Sequence, residues 1–162
     1  MRNSPGERPV LPSVLDRLID DQRELREDPP LSRAQSIREL KVSLQRDLEW
    51  LLNTRRIVRD TPESVGHLGN SLYVYGLPEF RELDVSAAAG GLARQMELAI
   101  QTFEPRLANI KVTMRPREGV ERVAHFIIEA VLLIRPLPER VTFDTVLELT
   151  NGEYRVGTDR RA

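Results

Sequence analysis

The chain has 162 residues, 40% of them hydrophobic and 30% charged, with 24 Lys plus Arg against 25 Asp plus Glu and no cysteine. That length suits one folded domain, and the net charge of -1 excludes the broad basic field of a general nucleic-acid binder. The lack of thiols excludes disulfides and thiolate metal sites, and it fits a reducing, cytoplasmic setting.

Residues 1–12 contain charges and prolines without an apolar core, so a flexible tail is expected there rather than a secretory signal. Ser13 precedes Val14, Leu15, Leu18 and Ile19, which predicts a short N-capped amphipathic helix ending in a charged run before Pro29 and Pro30. The strongest helix follows. Ser32 and Gln35 form a Ser-x-x-Gln capping box, and Ile37, Leu40, Leu44, Leu48 and Leu51 repeat at helical spacing, with Trp50 and Leu52 widening the stripe.

Pro62, Gly66, Gly69, Gly76 and Pro78 surround a short apolar run at residues 72–75, which reads as a packed connector. Ser86 is placed to cap a third helix carrying Leu92, Met96, Ile100 and Phe103. That helix should stop at Glu104, because the residue before Pro105 is driven away from the α conformation.

From here the period changes to two. Ile110, Val112 and Met114 alternate with Lys111, Thr113 and Arg115, and a turn is expected at residues 116–119. Residues 123–134 are almost wholly apolar apart from His125 and Glu129, as in a central strand with both faces at least partly covered. Within it, residues 126–134 are the longest apolar stretch, interrupted by Glu129 and well short of the about 20 residues of a membrane helix. Val141, Phe143, Thr145, Leu147 and Leu149 form a strand with one wet face, and Asn151-Gly152 predicts a tight hairpin into a short last strand, Glu153, Tyr154, Arg155 and Val156. The expected fold is α+β: about three helices packed on a four-stranded antiparallel meander, in one domain over residues 13–157, with a tail at 158–162.

Chemistry is sparse in this sequence. His67 and His125 lack neighbouring acids at metal-ligand spacing, and no nucleophile elbow, phosphate loop or dinucleotide fingerprint occurs, so neither metal nor cofactor is expected. Glu104 and Glu129 are the acids to consider for a glycosidase pair, which needs two carboxyl groups about 5 to 10 Å apart. One constellation stands out at the junction of helices and sheet, Phe103-Glu104-Pro105-Arg106-Leu107. Proline makes it a rigid corner that suits docking, and an internal Glu104–Arg106 ion pair is the alternative. As an exposed pair it would contribute about 0 to 1 kcal/mol, so Arg106→Ala is expected to spare the fold.

This Glu-Pro-Arg motif resembles the signature of the family that includes phage tail baseplate wedge proteins and the TssE subunits of type VI secretion systems. Val14-Leu15-Asp16-Arg17-Leu18, Leu51-Leu52-Asn53-Thr54-Arg55-Arg56 and Ser71-Leu72-Tyr73-Val74-Tyr75-Gly76-Leu77-Pro78 are similar to further family blocks, in the same order. Val74 stands where the family has asparagine and is given no contact role. The resemblance implies a non-enzymatic structural subunit at the cytoplasmic face of the inner membrane, joining the wedge proteins TssF and TssG and docking the TssB/TssC sheath. Glu104, Pro105 and Arg106 are the wedge-docking candidates. Glu153, Tyr154, Arg155 and Val156 are the sheath-docking candidates, because a terminal strand leaves unpaired backbone groups on its outer edge for another chain's strand. Proline at Arg155 or Tyr154 is expected to remove one such outward donor. Two other readings are a peptidoglycan glycosidase, from the family's lysozyme-like label, and a regulatory module of the kind that shields a sigma factor from proteolysis.

Overall fold

The computed structural model describes residues 16, 18, 32–56, 68–78, 85–115 and 122–158. Two long helices precede a four-stranded sheet, in the order α1 (Arg33–Asn53), α2 (Val85–Phe103), β1 (Leu107–Arg115), β2 (Val123–Leu132), β3 (Glu139–Glu148) and β4 (Glu153–Thr158). Asp16 and Leu18 are helical as well, while the rest of the predicted first helix, the turn at residues 116–119 and His67 lie outside the described residues.

The capping box forms as the sequence indicates. Ser32 Oγ accepts from Gln35 N–H at 3.3 Å, and Gln35 Oε1 accepts from Ser32 N–H at 2.9 Å. These bonds satisfy two of the donors that every helix start leaves open. Leu40, Leu44, Leu48, Leu51 and Leu52 of α1 are buried, but Trp50 is 54% exposed and does not join the stripe. Its position lies on the far side of the helix from Leu48 and Leu52, so the indole faces outward. Helix α2 starts at Val85, so Ser86 falls inside its first turn rather than before it. It buries Leu92, Met96 and Ile100 and ends at Phe103, just before the residue that Pro105 restricts.

All four strands pair antiparallel in chain order, with α2 lying against β1 and α1 against β4. The helix-facing side of the sheet carries Val112, Phe126, Ile128, Leu132, Phe143, Leu147, Tyr154 and Val156, all buried. On the other side of β2, Ile127 and Val131 are half-buried and Glu129 is exposed. Strand β1 begins three residues before Ile110, across a bulge between Ala108 and Lys111 where Asn109 takes a φ of 52°. Asparagine tolerates that left-handed geometry better than most residues. Met114 closes the predicted alternation but is 36% exposed. The hairpin after β3 spans residues 149–152, and Asn151-Gly152 forms only its second half, with Gly152 at φ +74° and its N–H on Glu148 O at 2.8 Å. Asn151 Oδ1 accepts from Glu153 N–H at 2.9 Å, so the asparagine shapes the longer loop through its side chain.

Between the helices, two 3₁₀ turns (Leu68–Asn70 and Leu72–Val74) lead into a short parallel bridge between Arg55 and Leu77. Leu77 N–H donates to Thr54 O and Arg56 N–H to Leu77 O, each at 2.8 Å. Gly76 makes this approach possible: its φ is +101°, and a Cβ there would sit 2.2 Å from Thr54 O. Gly76→Ala is therefore expected to cost about 1 to 3 kcal/mol, read as a lower denaturant midpoint. An unchanged midpoint would mean the bridge contributes nothing to stability.

Candidate functional site

The chain turns from α2 into β1 through Glu104, Pro105 and Arg106, with Glu104 N–H still bonded to Ile100 O at 2.9 Å and Leu107 N–H to Glu104 O at 3.1 Å. Arg106 closes back on the same turn. Its Nε donates to Glu104 Oε1 at 2.6 Å and its Nη2 to Glu104 Oε2 at 2.5 Å, a bidentate fork. Nη2 also reaches Asp47 Oδ2 of α1 at 2.6 Å. The ion pair at the corner is thus internal. Glu104 is 5% exposed, so the pair is far from the exposed one that a turn at the junction of helices and sheet suggests.

From Asp47 the network continues outward. Asp47 Oδ1 accepts from Arg46 Nη2 at 2.9 Å, Arg46 Nη2 donates to Asp16 Oδ1 at 2.7 Å, and Ser43 Oγ donates to Asp16 Oδ2 at 2.6 Å. Arg46 also stacks over the Trp50 ring, 5.2 Å from its centroid. The bonds to Glu104 raise the basicity of the Arg106 guanidinium, and its burial, which acts the other way, is outweighed. For Arg46, burial lowers the value and the bonds to Asp16 and Asp47 more than restore it. Both cations stay charged at any pH the fold survives.

Beside the corner runs a groove of about 420 Å³ whose apolar lining includes Trp50, Tyr75, Phe103 and Pro105. Tyr75 and Phe103 meet edge to face, centroids 5.1 Å apart, which fixes one wall. Burial pushes the Tyr75 phenol up, helped by the charges of Asp47 and Glu104.

The second set of candidates, Glu153, Tyr154, Arg155 and Val156, lies on β4, away from the corner and on the other side of α1. The outward backbone groups belong to Tyr154 and Val156, since Arg155 pairs with Val146 in the alternate register and turns its N–H toward β3. Proline at Arg155 would break the β3–β4 ladder, and among the four candidates Tyr154 and Val156 are the ones with an outward donor. Nor is this edge bare. Asn53 Nδ2 donates to Tyr154 O and Asn53 Oδ1 accepts from Tyr154 N–H, both at 2.8 Å. Gln45 Nε2 donates to Val156 O at 2.6 Å, and Glu49 Oε2 accepts from Val156 N–H at 3.2 Å.

Asp47, Gln45, Glu49 and Asn53 were absent from the sequence candidates. For Gln45, Glu49 and Asn53 the sequence signal is a polar line at four-residue steps beside the apolar stripe of α1, a line that Asp47 does not share. The acids considered for glycoside hydrolysis do not meet: Glu104 is locked in the corner, while Glu129 is exposed on the sheet face turned away from the helices. Among the described residues no group of His, Asp and Glu is arranged to hold a metal ion, and no helix is long and apolar enough to cross a membrane.

The charge-locked corner and the aromatic groove thus lie side by side where the two helices meet the sheet. The family model of the baseplate wedge protein gp25 matches residues 38–137, from the second turn of α1 to the loop before β3. The chain belongs to this family of phage-type baseplate structural proteins. No curated protein and no solved structure matches it.

Proposed function

We propose that this chain is the TssE-type wedge subunit of a type VI secretion baseplate, assembled at the cytoplasmic face of the inner membrane. It joins TssF and TssG through the Glu104-Pro105-Arg106 corner and starts the TssB/TssC sheath at β4. The observation that supports the first half is the corner itself. Three charged groups, Glu104, Arg106 and Asp47, are bonded to one another and hold Pro105 and the aromatic groove in one geometry. A partner meeting that surface finds it preorganised and orders few side chains on docking. Trp50, half-exposed at the groove rim, is of the residue type that most often anchors an interface. At β4, a sheath strand would take over the four backbone bonds now made by Asn53, Glu49 and Gln45.

Co-expression with TssF and TssG homologues followed by size-exclusion chromatography tests the assignment. The chain is expected to co-migrate with them at low salt, and Trp50→Glu is expected to abolish co-migration without lowering the melting temperature. Failure of the unmodified chain to co-migrate would overturn the reading.

A further inference from the structure

The two edges of the sheet are attended differently. At β1, among the described residues, α2 reaches across with one bond, Val112 N–H to Glu97 Oε1 at 2.9 Å. At β4, the outward N–H and C=O of both Tyr154 and Val156 are taken up by three side chains of α1. The geometry has a simple origin. Side chains four residues apart on a helix are about 6 Å apart along its axis, and outward groups two residues apart on a strand are about 6.8 Å apart. A polar stripe on a helix can therefore keep step with a strand edge over one such repeat, Glu49 at Val156 and Asn53 at Tyr154, while Gln45 reaches Val156 O from one turn earlier. Asn53 presents a carbonyl oxygen and an N–H donor together, the same pair a peptide group of a neighbouring strand would present.

The apolar face of α1 is made of residues other than these polar ones. Leu44, Leu48, Leu51 and Leu52 already bury the helix on the core. What the polar stripe adds is closure of an edge that would otherwise be a template for another strand. Gln and Glu give up much rotamer freedom to hold such bonds and recover it when released. A backbone segment gives up a comparable freedom per residue, so the exchange is close to balance and the further contacts the segment brings decide it.

We propose that Gln45, Glu49 and Asn53 form a releasable stand-in for a fifth strand. In the free chain it keeps the β4 edge from pairing with a second copy of this chain, and an incoming extended segment replaces it bond for bond. The replacement step rests on the placement of a partner strand at β4 proposed above; the self-pairing step does not.

The test uses the full isolated chain and the double variant Glu49→Ala/Asn53→Ala, which frees three of the four outward groups. Amide exchange in dilute solution is expected to quicken about tenfold at Tyr154 and Val156, the opening that one lost hydrogen bond of ordinary strength permits, while Arg155, facing β3, keeps its protection. Sedimentation at rising concentration is expected to show a dimer that the unmodified chain does not form and that a further Val156→Pro removes. Glu49→Gln retains an acceptor and is expected to behave as the unmodified chain. Should the double variant unfold, Asn53→Asp, which sets a carboxylate against Tyr154 O, is read by the same two measurements. Unchanged exchange at Tyr154 and Val156 would overturn the proposal, and so would faster exchange in a chain that stays monomeric. Neither measurement involves sheath proteins, so a failed sheath assay leaves this result standing.

Discussion

Arg106→Ala is expected to destabilise the isolated chain by about 3 to 5 kcal/mol, the range for breaking a buried ion pair by removing one partner. The reason is what remains. Glu104, 5% exposed, loses both bonds of the guanidinium fork, and Asp47 loses its bond to the same group. This reverses the expectation from sequence, where an exposed pair implied a nearly silent substitution. Urea denaturation checks it, with Arg106→Met/Glu104→Gln as the companion variant. That double variant removes the uncompensated charge and keeps the volume, so it is expected to lose less than Arg106→Ala alone. An unchanged midpoint for Arg106→Ala would show that the pair contributes nothing to stability. The consequence for assembly experiments is practical: loss of wedge binding in Arg106→Ala cannot be separated from loss of fold, whereas Trp50→Glu separates them.

Leu48→Ala is expected to cost about 2 to 5 kcal/mol, the range for a fully buried leucine whose cavity collapses only in part. Leu48 is 0% exposed at the centre of α1, between Leu44 and Leu52. At about 2 to 4 °C per kcal/mol for a chain of this size, the melting temperature should fall by several degrees at least. Val42→Ala on the same helix is the control, since Val42 is 63% exposed and its loss is expected to stay within about 0.5 kcal/mol. Equal effects from the two substitutions would mean that α1 is rotated about its axis from the arrangement described.

Local signals carried much of the fold. The Ser32–Gln35 box and the leucine repeat placed α1, the proline at 105 ended α2, and period-two alternation gave the antiparallel meander in its correct order. These features depend on residues within a few positions of one another, where propensity and periodicity act. The Glu-Pro-Arg corner was legible for the same reason, as a contiguous motif carrying its own turn. Trp50 was misplaced because an apolar side chain adjoining a stripe is not thereby on it; its phase around the helix puts it outside. Only the tertiary structure decided the partners of these elements. Asp47 meets Arg106 across 59 positions, and Asn53 meets Tyr154 across 101, contacts that arise once α1 has docked against both the corner and β4. Which β4 amides point outward was likewise set by pairing register, since a shift of one residue exchanges the two edges of a strand and leaves its local sequence unaltered.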